Sequence, residues 1–169
     1  FIRPSISGKH YEMCAAYVDD LCLAVDDPEG LFKQLQSEPY NFKLKGSGPM
    51  NFHLGCGFDR DPDGTLFMDP GKYIDKIMAS YEQSFGSKPR QAQSPLAPND
   101  HPELDESDFL DEDGIQQYQC LIGQLQWLIS LSRWDIQTAV MTMSSYRAAP
   151  RDGHLERVKR TFGCVRKFT

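Results

Sequence analysis

The chain has 169 residues, 40% of them hydrophobic and 25% charged, and a formal net charge of −6 at pH 7. This length suits one domain or one and a half, and the composition is that of an ordinary folded protein. No run approaches the roughly 18 apolar residues of a membrane span, and the opening FIRPSISGKHYE lacks the apolar core of a secretory signal. The absence of an initiator Met is what an excised fragment would show. The 5 cysteines are odd in number and widely spaced, with no C-x-x-C pair. A zinc site or a disulfide framework is therefore not expected, and reduced thiols of an intracellular protein are. The negative total argues against nucleic-acid binding only if charge is evenly spread. It is not. Asp100 to Asp113 is acidic without a single Lys or Arg, whereas Arg147 to Thr169 is strongly basic.

In chain order, the first informative stretch is YEMCAAYVDDLCLAV, residues 11–25. Two apolar runs flank a tight acidic centre, the pattern of a β-hairpin with carboxylates at its tip. Two charges about 4 Å apart cost ~4 kcal/mol at an effective dielectric near 20. A divalent cation offsets that cost, and hard Asp oxygens suit Mg²⁺ or Mn²⁺. An exposed turn is the plainer alternative, because Asp tolerates turn geometry. Asp27-Pro28-Glu29 predicts a helix start, with Leu31, Phe32 and Leu35 on its apolar face. Phe42-Lys43-Leu44-Lys45 alternates and predicts a strand that puts both lysines on one face. Asn51–Phe58 and Thr65–Met68 predict two further strands, joined by a loop with an Asp63-Gly64 turn. Asp59, Asp61, Asp63 and Gly64 match the first half of an EF-hand calcium loop. The position for the bidentate Glu is Pro70, which disfavours that reading.

Gly71–Tyr81 places Tyr73, Ile74, Ile77, Met78 and Tyr81 at helical spacing. Residues 84–113 read as a long connector and hence as a boundary between two parts. Gln116–Leu131 predicts a helix with Tyr118, Leu121, Ile122, Leu125, Leu128 and Ile129 on one face, and Gly123 placed for a close helix crossing. Asp135–Tyr146 predicts another. A last helix over 153–168, capped by Asp152, turns Leu155, Val158, Phe162 and Val165 inward. Trp127 and Trp134 are expected to anchor helix packing.

Taken together these segments resemble the reverse transcriptase of copia-type long-terminal-repeat retrotransposons. The resemblance begins at Tyr17-Val18-Asp19-Asp20 and continues through Phe42–Gly48, Phe52-His53-Leu54-Gly55, Tyr73–Ile77, Ser94-Pro95-Leu96, Tyr118–Leu125, Arg133–Ile136 and His154–Thr169, in colinear order. It implies an α+β fold: a partial polymerase palm of antiparallel hairpins over 1–69, a thumb-like helix and acidic connector over 70–113, and a helical connection region over 114–169. It also implies that Asp19 and Asp20 are catalytic carboxylates holding two Mg²⁺ or Mn²⁺ ions, and that Tyr17 and Val18 line the primer terminus and nucleotide. Phe52, His53, Leu54 and Gly55 would grip the primer, and Lys43, Lys45, Arg157, Lys159, Arg160 and Lys167 would follow the nucleic-acid backbone.

The implied partners are an RNA or DNA template with primer, deoxynucleoside triphosphates, and other parts of the same polyprotein. The implied setting is intracellular, in a cytoplasmic virus-like particle or the nucleus, without a membrane. Only 16 residues precede Tyr17 and none is Asp, so the family's third palm carboxylate, its fingers and its RNase H domain are expected outside this sequence. Trp134 stands where the family has Pro, and Lys45-Gly46 where it has Lys-Asp. The fragment alone is not expected to polymerise. The alternative is an inactive retroelement remnant that binds nucleic acid or other polymerase subdomains.

Overall fold

Strand formation around the acidic centre follows the expected pattern. In the computed structural model, which describes residues 1–169, β2 (Tyr11–Tyr17) and β3 (Asp20–Ala24) pair antiparallel from Met13↔Ala24 to Tyr17↔Asp20. Strand β1 (Ile2–Pro4) adds to the other edge of β2. Helix α1 (Pro28–Gln36) starts where Asp27 Oδ1 accepts the Gly30 N–H at 2.9 Å. These elements belong to the first of two compact units, residues 1–50 and 51–169. The fold class is α+β, with two three-stranded antiparallel sheets and five α-helices.

The first unit buries no apolar side chain; its buried residues are Ser5 and Glu12. Glu12 accepts from Arg3 Nε at 2.6 Å and from the Asp26 N–H at 3.1 Å, and these bonds, the backbone one foremost, hold its carboxyl below the usual range. Strand alternation puts Ile2, Tyr11, Met13 and Tyr17 on one face of the sheet. They are 69%, 63%, 51% and 47% exposed, so that face has no cover within the unit. The strand expected at Phe42–Lys45 does not form; Phe42 N–H bonds the Leu35 carbonyl and the segment runs without a ladder. Alternation alone makes no strand where no neighbouring edge accepts it.

The second unit has a full core. Strands β4 (Phe52–His53), β5 (Cys56–Arg60) and β6 (Leu66–Asp69) form its sheet. The single strand expected over 51–58 is instead a hairpin, turned at Leu54-Gly55. Helices α2 (Gly71–Phe85), α3 (Glu112–Ser130), α4 (Gln137–Ser144) and α5 (Asp152–Lys167) bury the predicted stripes against one another: Ile74, Ile77 and Tyr81; Leu121, Ile122, Leu125 and Leu128; Val158, Phe162 and Val165. Tyr118 is fully buried, donates to the Met143 carbonyl at 2.7 Å, and has its phenol pushed up by burial. Helix α3 begins four residues before the expected start, because Asp111 caps it and Glu112 and Asp113 sit in its first turn. Gly123 is solvent-facing with open space around it, so no helix crosses there. Trp127 is half-buried, but Trp134 is 70% exposed and anchors nothing. No helix is long and apolar enough to cross a membrane.

Residues 86–111 do not separate two bodies, and the compact units meet at Met50/Asn51 rather than within this connector. The connector is bonded along α5. Ala92 N–H bonds the Gly163 carbonyl, Arg166 Nη1 the Pro89 carbonyl at 2.8 Å, and Thr161 Oγ1 the Pro95 carbonyl at 3.2 Å. Further on, Arg157 bonds both Asp100 (2.8 Å from Nη2) and Asp105. Helix α5 is entered through Arg151, whose N–H bonds His154 Nδ1, rather than through the expected Asp152 cap. The Gly153 N–H is taken by Ser107 Oγ.

Two outcomes follow from this packing. Ser107 and Arg157 together hold the Asp105 carboxyl down to about 2. A group depressed on folding stabilises the fold above its unfolded pKa of about 4, and that contribution fades as pH falls from there toward 2. Acid titration followed by tryptophan fluorescence should show Asp105→Asn already destabilised at pH 7 and less acid-sensitive between pH 4 and 2. A Cβ on Gly163 would lie 1.9 Å from the Arg90 carbonyl oxygen. Gly163→Ala should therefore cost about 1–3 kcal/mol in urea denaturation and expose residues 87–98 to proteases.

Candidate functional site

Pairing of Tyr17 with Asp20 leaves Val18 and Asp19 as the two residues of the β2–β3 turn. Val18 has φ 54°, the left-handed region that β-branched residues avoid. Positive φ at the first turn residue alone is the sign pattern of a type II′ hairpin turn, where Gly is the favoured residue. The Val18 side chain is 91% exposed, so no packing of its own offsets the strain. Strained residues of this kind, of order 1–3 kcal/mol each, gather at functional turns. Tyr17 and Asp20 lie opposite each other on the uncovered face, and the Asp19 and Asp20 residues are exposed at the hairpin end.

No group of three or more His, Cys, Asp or Glu side chains is assembled anywhere in the chain. The two adjacent carboxylates still fit Mg²⁺, which is commonly held by one or two carboxylates with water and substrate phosphates completing its shell. The loop over 59–65 is a different case. Asp63 Oδ1 accepts the Thr65 N–H at 2.9 Å, which lowers its pKa, and Gly64 N–H bonds the Asp61 carbonyl at 2.8 Å. Its backbone bonds close it as a hairpin turn, with Gly64 at φ 89°.

The second candidate element is the β4–β5 hairpin. His53 pairs with Cys56, leaving Leu54 (φ 52°) and Gly55 (φ 96°) as a turn with both φ angles positive. Gly55 lies against Leu131 and Tyr73, 3.4 and 3.6 Å from where a Cβ would sit. These are ordinary van der Waals distances, so it is the positive φ of the turn that calls for Gly. Phe52 is half exposed with Lys72 Nζ 4.8 Å from its ring centroid, and His53 is half-buried.

The expected cations divide. Lys43 and Lys45 are exposed but lie on an irregular segment rather than along one strand face. Arg157 is committed to Asp100 and Asp105, with only 19% of its side chain exposed, and is unavailable to an outside phosphate. The cost of stripping a paired, buried charge is several kcal/mol. Lys159 pairs with Glu156 at 2.7 Å and lies over the Phe85 ring, and Lys167 lies over Phe168. Arg160 reaches Ser94 Oγ at 3.3 Å. Sequence reasoning missed Arg90, which the connector brings beside Lys159 and Arg160. No local pattern marks Arg90, since only the docking of its segment on α5 places it there.

No family model matches the chain, and no solved structure matches it. Among curated proteins it is 29% identical over 153 residues to the retrovirus-related Pol polyprotein from transposon RE1 of Arabidopsis thaliana, covering 90% of this chain and 10% of that protein. It is 29% identical over 161 residues to the putative transposon Ty5-1 protein of Saccharomyces cerevisiae, covering 95% of this chain and 50% of that protein. The RE2 Pol polyprotein of Arabidopsis thaliana is 27% identical over 153 residues. The chain thus spans between a tenth and a half of the length of these relatives. It is a homologue of copia-type retrotransposon Pol polyproteins.

Proposed function

We propose that the chain is a piece of the reverse transcriptase region of a retrotransposon Pol polyprotein, with Asp19 and Asp20 as carboxylates of its metal site. The observation that carries this is the β2–β3 turn, which sets two adjacent carboxylates at an exposed hairpin end beside a Val18 held at φ 54°. An ordinary surface turn has no reason to keep a β-branched residue there. The similarity to Pol polyproteins supports the same reading.

In this reading the first unit is half of a polymerase palm, and the Phe52–Gly55 hairpin is the primer grip. Helix α2 opens the thumb, and α3 to α5 form the connection region. Bound Mg²⁺ or Mn²⁺ would supply charge stabilisation to the phosphoryl oxygens and acidify the primer 3′-hydroxyl. The chain's own residues position. Asp19 and Asp20 would hold the cations at the two-residue turn. Tyr17, on the face of Asp20, and Val18 line the primer terminus and the incoming deoxynucleotide. Phe52 and the Leu54-Gly55 backbone hold the primer strand on its template. The uncovered face of Ile2, Tyr11, Met13 and Tyr17 is where other parts of the polyprotein pack to complete the palm. That same face favours the second reading, in which a remnant without activity still docks on other polymerase subdomains.

The test is primer extension on an RNA template with Mg²⁺ or Mn²⁺, using this chain within its polyprotein. Asp19→Asn should lower extension at least a thousandfold with the circular dichroism spectrum unchanged. Extension retained in that variant would remove the metal-site assignment.

A further inference from the structure

Between residues 90–93 of the connector and α5 lies a groove of about 520 Å³, bordered on the helix by Glu156, Lys159 and Arg160. Its connector wall is tied down. The Pro89 carbonyl accepts from Arg166, the Ala92 N–H bonds the Gly163 carbonyl, and the Pro95 carbonyl accepts from Thr161. A groove whose walls are already fixed binds at a reduced ordering cost.

The bonds left unmade define the ligand. Arg90 is exposed, and no hydrogen bond or ion pair engages its side chain. Arg160 uses only Nη2, on Ser94 Oγ, and its buried Nε has no partner. Both guanidinium groups suit an incoming anion. The backbone N–H and carbonyl groups of Gln91 and Gln93 make no hydrogen bond either, since Ala92 between them is the residue that bonds α5. The wall thus presents donors and acceptors side by side, with the exposed Glu156 carboxylate opposite. A phosphodiester backbone offers acceptors only. It would leave the Gln91 and Gln93 carbonyls unmet and set its charge against Glu156. An extended peptide brings N–H groups as well as carbonyls, the pairing by which a strand adds to a free backbone edge.

Helix α5 already carries an acidic chain at its other end. There Arg157 bonds Asp100 and Asp105, while the Asp152 and Gly153 N–H groups bond the Asp108 carbonyl and Ser107 Oγ. Carboxylates on an arginine, with backbone pairing alongside, is therefore a mode that this helix supports. At Arg160 no connector carboxylate arrives, and the same chemistry stands open. We propose that the groove docks an extended acidic peptide of a partner, with carboxylates on Arg90 and Arg160 and backbone on Gln91 and Gln93. The groove owes nothing to Asp19 or Asp20.

The experiment is a fluorescence-anisotropy titration of the full chain with a labelled peptide of alternating Glu and Ser, beside a labelled RNA–DNA duplex at the same salt. Arg90→Gln should weaken peptide binding several-fold and Arg90→Glu more, with duplex binding and thermal stability unchanged, because no bond of the fold engages Arg90. Amide exchange at Gln91 and Gln93, followed by NMR, should slow when the peptide is bound. Four results would each overturn the assignment: no peptide binding by the unaltered chain, equal binding of a Gln-Ser peptide, affinity unaltered in Arg90→Glu, or unchanged exchange at both amides. Duplex binding weakened by Arg90→Glu as much as peptide binding would overturn it as well, by making the groove a general anion site. Asp19→Asn should bind the peptide as the unaltered chain does, so that loss of primer extension and loss of docking are read separately.

Discussion

The second unit depends on one guanidinium. Arg157 on α5 is shared by Asp100 and Asp105, and all three side chains are largely withdrawn from water. Removing one member of such a group leaves an uncompensated buried charge, at a cost of about 3–5 kcal/mol. The pairing fixes an otherwise irregular acidic segment to the helix core. That segment then takes the Gly153 N–H through Ser107 Oγ and the Asp152 N–H through the Asp108 carbonyl, supplies the Pro102 carbonyl to His154 Nε2 at 3.0 Å, and leads into the Asp111 cap of α3. Connector, bundle and helix ends are thereby one cooperative structure.

The two units contrast in what they complete. The helical unit buries its stripes on all sides and needs nothing further to form a core. The hairpin unit buries only Ser5 and Glu12, and displays an apolar sheet face. A small sheet without a covered face is marginal on its own in water. Proteins whose relatives are long polyproteins have a ready source of cover in the same polypeptide. The contrast agrees with a reading in which the carboxylate hairpin works only inside a larger assembly, while the helical part is the stable platform.

Much of this was legible in the residues. Period 3.6 found the apolar core of the buried faces of α2, α3 and α5, because helix burial is written locally, while Tyr73, Met78 and Ile129 are only partly buried and α5 also buries His154, Thr161 and Cys164. The Tyr17–Asp20 hairpin was legible for the same reason: two apolar runs and a two-residue break leave one simple geometry. Three things were not. The alternation at Phe42–Lys45 has the strand period but lacks a neighbouring edge, which no local pattern reveals. The acids of 100–113 read as part of a long connector, yet two of them answer Arg157 from more than 50 positions away, and three others begin α3. Arg157 looked like one more surface cation, because a helix pattern records which face is apolar and not which charge finds a partner. At the candidate site the carboxylates and the turn were readable, whereas the left-handed Val18 and the company of Arg90 needed three dimensions.

The central claim is that the hairpin end at Asp19 and Asp20 is where the chain takes up a divalent cation. The most direct measurement is paramagnetic broadening of backbone amide resonances by Mn²⁺ in the full chain. The account predicts broadening centred on residues 17–20 and abolished in Asp19→Asn with Asp20→Asn. Broadening centred instead on Asp59–Asp63 or on the acidic residues 100–113, and unaltered in that double variant, would contradict it.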